Sequence, residues 1–344
     1  MTDPASPAYR QATGGSTSHA TSKPDACSVL SQLADASAYG TASRAAFWLA
    51  LEQEVPWGRQ AATGSHLDAA LGGALDRACA ERGGRLILIR RPGQHPDTHG
   101  PTRHRCYVAS AGSDPFLLTA EVASPAELLA LDLEALGRGH RGGVTASLPL
   151  LQPAIPVLLV CTNGRRDVCC AVRGRPVATG DNTAYPGRVW ECSHTGGHRY
   201  APTGVLLPWG RTLARLDDPA ARTLLDAADH GRLPPALLGP RHDRGSSALA
   251  PGEQAAESAV RAEITETHLA ALSAVSTSEA NNVVVQHVDG RQWLVEVERR
   301  EGSARPESCG KPPDSSWTWS TAISESGTDP AVLSDDAGPA RDPV

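Results

Sequence analysis

Short apolar runs alternate with glycine-rich and proline-rich turns along most of the chain. Runs that are rich in branched aliphatic residues and bounded by turn residues are typical of buried β-strands. Such runs occupy residues 85–91 (RLILIRR), 105–112, 115–122, 156–164 (PVLLVCTNG), 188–198 and 203–210. The run SRAAFWLALEQEV at 43–55 fits either a helix or a strand. The pattern therefore predicts a chain rich in buried strands.

Apolar residues at helical spacing lie between several of these strands. They predict helices at 66–84, 124–136, 218–231 and 251–275. Residues 281–300 predict a β-hairpin, because an Asp-Gly pair separates two runs of β-branched residues. Strands that alternate with helices are typical of an α/β fold.

Composition divides the chain into five segments. Residues 1–26 are small and polar with almost no large apolar side chains, which predicts disorder. Residues 27–145 form an N-terminal α/β lobe, and residues 150–245 form a second α/β unit. Residues 246–310 supply a helix and the hairpin. Residues 311–344 contain fewer large apolar side chains and more acidic residues than the preceding segments, which predicts a disordered acidic tail.

Charge and hydropathy exclude several classes of protein. The 344 residues include 32 basic and 38 acidic side chains, and the net charge of −6 argues against a nucleic-acid-binding protein. No run of about 18 apolar residues is present, so we expect no membrane span. The N-terminus has no basic start followed by an apolar core and does not resemble a secretory signal. These features predict a cytoplasmic protein.

Cysteines and histidines concentrate in one segment of the chain. Four of the eight cysteines lie within 32 residues, and His194 and His198 follow at once. The clustered cysteines are Cys161, Cys169, Cys170 and Cys192. In a long chain without a signal sequence, clustered cysteines indicate metal or redox chemistry rather than a disulfide framework. The scattered cysteines, which we interpret as small apolar side chains, are Cys27, Cys79, Cys106 and Cys309.

The spacing of the donors narrows the choice of metal. Eight residues separate Cys161 from Cys170, and three separate His194 from His198. Zinc accepts two thiolates and two imidazoles, but structural zinc sites usually space their cysteines by about two to four residues. A [2Fe–2S] cluster tolerates wider spacing because its ligands divide between two irons, and such mixed ligation occurs in Rieske centres. Spacing alone favours the cluster and leaves zinc, or no metal, open.

The loops that carry these residues follow predicted strands. The Gly196-Gly197 pair indicates a loop between the histidines, because glycine weakens a helix. Loops that follow neighbouring strands meet at one end of an α/β sheet, where sites tend to gather. Cys192 lies two residues before His194, as in half of a Rieske ligand box, and Cys169 adjoins Cys170. Spacing does not decide which of these thiolates bind.

The string CTNGRRDVCC, followed by VWECSHTGGHRYAPTGVLLPWG, closely resembles the sucrase/ferredoxin-like family. The resemblance extends from about Cys27 to the RPESCGK segment near Cys309. It implies an α/β fold with a thioredoxin-like ferredoxin domain at 150–245. A second α/β lobe at 27–145 precedes that domain, and a C-terminal helix and hairpin follow it.

The same resemblance implies a [2Fe–2S] cluster with four protein ligands. Cys161 and Cys170 match the two cysteines of the family motif, and His194 and His198 match its HxGGH histidines. The motif requires no cysteine at the positions of Cys169 and Cys192.

Two departures from the family pattern lie near this segment. Asn163 stands where relatives often have a histidine, and residues 179–187 replace what tends to be a longer helix. The first leaves the ligands intact, because that histidine is not a ligand in the family. Between the cysteines, Arg165, Arg166 and Asp167 are expected to flank the site, either as an aspartate-capped turn or as charges that steer a partner.

The resemblance implies an electron-transfer or redox-sensing protein rather than an enzyme, with redox donor and acceptor proteins as partners. Histidine ligation predicts a proton-coupled potential, because each ligating imidazole keeps a second ring nitrogen. Two alternatives remain at this stage. One is a zinc-stabilised interaction module with the same four ligands. The other is a thiol oxidoreductase acting through Cys169–Cys170 or Cys161, although the usual C-x-x-C motif is absent.

Overall fold

The computed structural model describes residues 23–54, 56–93 and 103–326. Its α-helices are α1 (Cys27–Leu33), α2 (Ala69–Glu81), α3 (Leu133–Gly137), α4 (Arg141–Ser147), α5 (Val168–Ala184), α6 (Asp218–Ala228) and α7 (Pro251–Glu263). Single turns of 3₁₀ helix occupy Pro125–Ala130, His198–Tyr200 and Pro235–Leu237. Residues 1–22 of the predicted N-terminal disorder and residues 327–344 of the predicted tail lie outside the described residues.

Within the described residues, fourteen strands form two sheets. They are β1 (Phe47–Glu52), β2 (Arg85–Arg90), β3 (His104–Ser110), β4 (Phe116–Val122), β5 (Gln152–Pro153), β6 (Val157–Cys161), β7 (Val189–Cys192), β8 (Gly204–Leu207), β9 (Arg211–Leu213), β10 (Asp243–Ser246), β11 (Leu272–Ser276), β12 (Asn282–His287), β13 (Gln292–Arg305) and β14 (Asp314–Ser326). The first ten strands form one mixed sheet and the last four an antiparallel sheet. The predicted α/β class is thus confirmed at the level of a mixed α/β fold.

One continuous sheet joins the two α/β units expected from the sequence. Its order is β10-β9-β8-β6-β7-β2-β1-β3-β4-β5, so strands of both units lie side by side. The junction is the short antiparallel pairing of β2 with β7, which aligns Ile89 with Cys192 and Arg90 with Glu191. The Arg90 and Glu191 side chains form a buried ion pair there, and Thr162 donates to the same carboxylate at 2.7 Å. The two units therefore share a backbone ladder and a charge pair.

The centre of the large sheet is a βαβ unit built from β6, α5 and β7. All five residues of β6 are buried, as expected for a strand with both faces covered. β6 and β7 run parallel, and Cys161 is aligned with Cys192 at their carboxyl ends. α5 extends to Ala184, so most of the stretch that we expected to lack a long helix is helical.

The C-terminal region departs from the sequence prediction in two places. The predicted helix at 251–275 ends at Glu263, and Leu272–Ser276 is instead the strand β11. The expected disorder from residue 311 is wrong for Asp314–Ser326, which pairs with β13 as β14. Alternating apolar residues explain that strand, because Trp319 and Ile323 pack on the core formed by α7 and the small sheet. The predicted hairpin is confirmed as β12 and β13.

The predicted helix at 124–136 is also divided. A 3₁₀ segment ends at Ala130 and α3 begins at Leu133, with the Asp132 carboxylate accepting hydrogen bonds from the N–H groups of Glu134 and Ala135. The aspartate therefore ends one helix and caps the next. None of the helices described here is long and apolar enough to cross a lipid bilayer.

A buried network of charges fastens α7 to the edge of the large sheet. The Arg211 guanidinium pairs with Asp243 and Glu257, and Glu257 also accepts two hydrogen bonds from Arg261 at 2.8 and 2.7 Å. All four side chains are almost completely excluded from solvent. Since each charge is compensated only by the others, the loss of one leaves an uncompensated buried charge.

We predict that Arg211→Met lowers the free energy of unfolding by about 3–5 kcal/mol, because Asp243 then loses its paired cation while Glu257 keeps only Arg261. Denaturant titration measures the change. Arg138→Met is the control, since the Arg138–Glu134 pair is about two-thirds exposed on both sides. Its loss is expected to cost under about 1 kcal/mol. Equal effects for the two variants would contradict the assigned role of the network.

Candidate metal centre

The loops after β6 and β7 meet at one end of the large sheet, as their order in the sequence predicts. Cys161 is the last residue of β6, and Cys170 lies in the first turn of α5. His194 follows β7 by two residues, and His198 begins the 3₁₀ turn that follows. Adjacent parallel strands end at the same edge, so the two loops emerge side by side.

The Cys161 thiol lies against Cys170 and His194. A hydrogen bond from the Cys170 thiol holds the pKa of Cys161 well below its usual range, against the effect of burial, and His194 lowers it further. The same hydrogen bond and burial raise the pKa of Cys170 well above its usual range. Of the two thiols, Cys161 is therefore the one that more readily becomes a thiolate. A thiolate is the form that binds a metal.

The two histidines lie next to each other with unused ring nitrogens. Their ring centroids are 5.2 Å apart and their planes are tilted by 33°. Nδ1 of each ring is buried and has no hydrogen-bond partner among the described residues. Burial lowers the pKa of His198, which favours the neutral ring that a metal requires. Buried polar atoms are nearly always satisfied, so two orphan nitrogens in one loop indicate a missing partner.

Two glycines give the histidine loop its shape. Gly196 and Gly197 have φ angles of 87° and 68°, a left-handed conformation that side chains disfavour. A Cβ atom would collide with Ser43 at the first position and with the Arg244 guanidinium at the second. The loop therefore packs closely against Ser43 and Arg244, and its conformation requires the two glycines.

Two arginines support the histidine loop, and of these Arg244 is buried and Arg85 half-buried. Arg85 donates to the His194 carbonyl at 3.1 Å, and Arg244 donates to the Gly196 carbonyl at 3.0 Å. Burial lowers the pKa of Arg244 to about 10, so the guanidinium remains charged at neutral pH. Both arginines interact electrostatically with Cys161. Cys161 and the histidine loop thus lie close to the positive charges of these two guanidinium groups.

A second group of donors lies on the other side of the same helical turn. The Cys169 sulfur is 3.6 Å from that of Cys27 and 3.0 Å from that of Cys309, and Cys27 and Cys309 are also 3.6 Å apart. The Asp167 carboxylate lies beside them, 3.8 Å from the Cys27 sulfur. Consecutive residues of an α-helix point about 100° apart, which separates Cys169 from Cys170. Cys169 and Cys170, although adjacent in the sequence, therefore belong to different groups of donors.

Asp167 is fixed by three hydrogen bonds. Its carboxylate accepts from the Cys169 N–H at 2.9 Å, the Ser308 hydroxyl at 2.7 Å and the Cys309 N–H at 2.9 Å. Burial raises the pKa of Asp167, but these hydrogen bonds outweigh it and the net shift is downward. Asp167 thus caps α5, as one sequence interpretation proposed, and stays anionic inside the protein.

One donor atom each from Cys27, Asp167, Cys169 and Cys309 lie within 4.8 Å of one another, so these residues can hold a metal ion. In the described part of the chain, none of the four residues that sequence reasoning selected as ligands belongs to this compact set. Sequence reasoning missed the cluster because it treated Cys27 and Cys309 as small apolar side chains. Their separations from Cys169, 142 and 140 residues, carry no local signal.

Asn163 and Cys192 have structural roles in the same region. The Asn163 side chain donates to the Gly58 carbonyl at 3.2 Å and accepts from the N–H groups of Arg165 and Arg166. It shapes the turn where relatives often have a histidine. Cys192 is completely buried, and burial raises the pKa of its thiol well above the usual range. Its thiol is part of an apolar core cluster.

The segment that contains the four ligands selected from the sequence lies within a match to a known protein family. Residues 39–297 match the family described as Sucrase/ferredoxin-like. The match includes Cys161, Cys170, His194 and His198 but neither Cys27 nor Cys309. No curated protein and no solved structure matches the chain.

We predict that Gly174→Ala disturbs the cysteine pair of the site. A Cβ atom at this position of α5 would collide with the Cys161 carbonyl oxygen, so the helix must move away from β6. Overpacking of this kind costs about 1–3 kcal/mol. We expect a lower free energy of unfolding and faster alkylation of Cys161 and Cys170 by iodoacetamide, measured by mass spectrometry.

Gly73→Ala is the matched control, because it also adds a Cβ to a helix. The nearest atom at that position is the mobile end of Arg77, at 3.3 Å. Alanine should be neutral there or stabilising by up to about 1 kcal/mol. If both variants behave alike, the close contact of α5 with β6 does not position the site.

Proposed function

The chain belongs to the sucrase/ferredoxin-like family, and from this premise we propose an electron-transfer or redox-sensing protein. It carries a [2Fe–2S] cluster held by Cys161, Cys170, His194 and His198. The observation that supports the proposal most directly is the pair of buried imidazole nitrogens that have no hydrogen-bond partner among the described residues, beside two buried thiols that contact each other.

The chemistry and arrangement of the donors fit a two-iron cluster. Each iron needs two protein ligands, and mixed cysteine and histidine ligation is known for such clusters. Cys161 with Cys170 supplies one pair, and His194 with His198 supplies the other. A single ion requires all its donors close together, whereas two irons spread the pairs apart. The four residues therefore suit a cluster even though they are not the most compact set of donors.

The order of the strands supports the thioredoxin-like part of the proposal. β6, α5 and β7 form a parallel βαβ unit, and the antiparallel strands β8 and β9 and the helix α6 follow. The strand order β7-β6-β8-β9 is the one expected of a thioredoxin-like core. In such a core, loops at the ends of the first two strands carry the chemistry.

When bound, the cluster supplies a group that accepts one electron at a time. The surrounding residues control how readily it does so. Neutral imidazoles in place of thiolates, and the charges of Arg85 and Arg244 nearby, both favour the reduced form. Cys161 and Cys170 are buried, whereas His194 and His198 are partly exposed. The histidine side is therefore the face through which a redox partner exchanges electrons.

The first experiment is a visible absorption spectrum and a metal analysis of protein purified without oxygen. We expect a reddish-brown protein with about two irons per chain that is bleached by dithionite. His194→Ala and Cys161→Ser should each lose most of the iron and the colour. A colourless wild-type protein with zinc bound by these four residues would instead support a zinc-stabilised module.

Matched controls test whether the ligands themselves are responsible. His230→Ala removes an exposed histidine, and Cys106→Ala removes a buried cysteine that lies in a different core cluster. Both variants should keep iron and colour. Iron that survives in the double variant His194→Ala with His198→Ala would refute histidine ligation.

We predict that the reduction potential falls as pH rises. If Nδ1 binds iron, each imidazole keeps an Nε2 proton, which it holds more tightly once the adjacent iron has gained an electron. Reduction then takes up a proton over the range between the two pKa values of the ring. The slope there should approach about −59 mV per pH unit for one proton per electron. Spectroelectrochemical titration at pH 6–10 measures it.

A cysteine variant provides the control for proton coupling. His194→Cys with His198→Cys offers four thiolates, which carry no exchangeable ring proton. The potential should fall toward the value of about −400 mV of all-cysteine ferredoxins and become independent of pH. A wild-type potential that is flat across the titration would count against histidine ligation.

A further inference from the structure

We propose that Cys27, Cys169 and Cys309, together with Asp167, form a second metal site that binds one zinc ion. The ion would fasten the N-terminal and C-terminal segments of the chain to the start of α5. The inference does not depend on the proposed cluster, because none of these four residues is among its ligands.

The distances between the donors suit a tetrahedral ion. With zinc–sulfur bonds of about 2.3 Å, the sulfur atoms at the corners of a tetrahedron are about 3.8 Å apart. Cys27 lies 3.6 Å from both Cys169 and Cys309, close to that value. The contact of Cys169 with Cys309 is shorter, at 3.0 Å. Only Cys309 has to move outward, and it is the least buried of the three.

The carboxylate completes the set of four. Asp167 lies 3.8 Å and 3.9 Å from the Cys27 sulfur through its two oxygens. Its hydrogen bonds from Ser308 and from the N–H groups of Cys169 and Cys309 already orient it. Carboxylates that bind metals are commonly held in this way by groups outside the ligand set.

Buried negative charge at this position calls for a cation. The Asp167 carboxylate is buried beside the three thiols, where the hydrogen bonds from Cys169, Ser308 and Cys309 hold it in place. Arg173 also interacts electrostatically with Cys169 and Cys27, but its Nη2 donates to Gln32 at 2.8 Å. Zinc would enter as the protons of the cysteine thiols leave to solvent, so each ligand becomes an anion bound to the metal.

An entry path leads to the cluster. A cavity of about 500 Å³ borders Cys169 and Cys309 and is lined by Lys23, Val172 and Gly310, among others. An ion, a chelator or an alkylating reagent can therefore approach from solvent without unfolding the protein.

The positions of the cysteines in the chain indicate a structural role for the metal site. Cys27 lies in α1 and Cys309 lies between β13 and β14, and both are outside the residues that match the family. The ion would join both segments to the start of α5. Zinc suits this role because it takes thiolate ligands and has no redox chemistry of its own.

The test is a count of zinc and iron in protein purified without oxygen from zinc-supplemented cells. We expect about one zinc per chain in the wild type and under about 0.1 in Cys27→Ser and Cys309→Ser. Iron and visible absorption should be unchanged in both variants. Cys106→Ser is the control and should keep its zinc.

Three results would overturn the proposal. They are zinc that persists in Cys309→Ser, zinc that is lost from His194→Ala rather than from Cys309→Ser, and a Cys169–Cys309 disulfide in anaerobically purified wild-type protein. The iron content reports separately on the proposed cluster. Wild-type protein that binds zinc through Cys309 but contains no iron would therefore refute the proposed cluster and leave the proposed zinc site supported.

A second measurement needs no variant, in case the substitutions prevent folding. We would remove zinc from the wild type with a chelator and follow alkylation of Cys309 by mass spectrometry. Alkylation should become about tenfold faster and return to its initial rate when zinc is added back. Cobalt in place of zinc should give the absorption bands of a tetrahedral thiolate site. Equal alkylation rates with and without zinc would contradict the proposal.

Discussion

The first turn of α5 is the constraint on which the rest of the functional region depends. Asp167 caps the helix and is fixed by hydrogen bonds from Cys169, Ser308 and Cys309. The helical geometry then sends Cys169 and Cys170 in different directions. One joins the thiols of Cys27 and Cys309, and the other joins Cys161. One helical turn thus directs two cysteines that are neighbours in the sequence into two different groups of sulfur donors.

Buried charge surrounds this turn and determines its chemistry. Arg85 and Arg244 support the histidine loop through its carbonyl groups, and Tyr200 packs against Arg244 with 5.6 Å between the guanidinium carbon and the ring centroid. Positive charge therefore lies beneath Cys161 and the histidines, whereas the anionic Asp167 lies beside the three-cysteine cluster. The first environment favours a group that gains an electron. The second favours a bound cation.

Most strands could be predicted from the sequence, because buried strands are continuous apolar runs bounded by turns. β6, with five buried residues, is such a run. Errors occurred where a local pattern was ambiguous. The apolar residues of 264–275 suit a helix or a strand, and only pairing with β12 makes Leu272–Ser276 a strand. β14 was missed because its polar composition concealed alternating residues that the small sheet and α7 cover.

The sequence by itself determined the segment in which the candidate cluster ligands lie. The spacing of Cys161 and Cys170 and the HTGGH motif lie in one βαβ unit and its following loop, so short-range order was enough to bring them to one end of a sheet. Only the tertiary structure decided where Cys169 belongs and that Cys27 and Cys309 join it. Those contacts connect residues about 140 positions apart. Contacts at that separation arise from packing of the whole chain, which no local pattern of residues records.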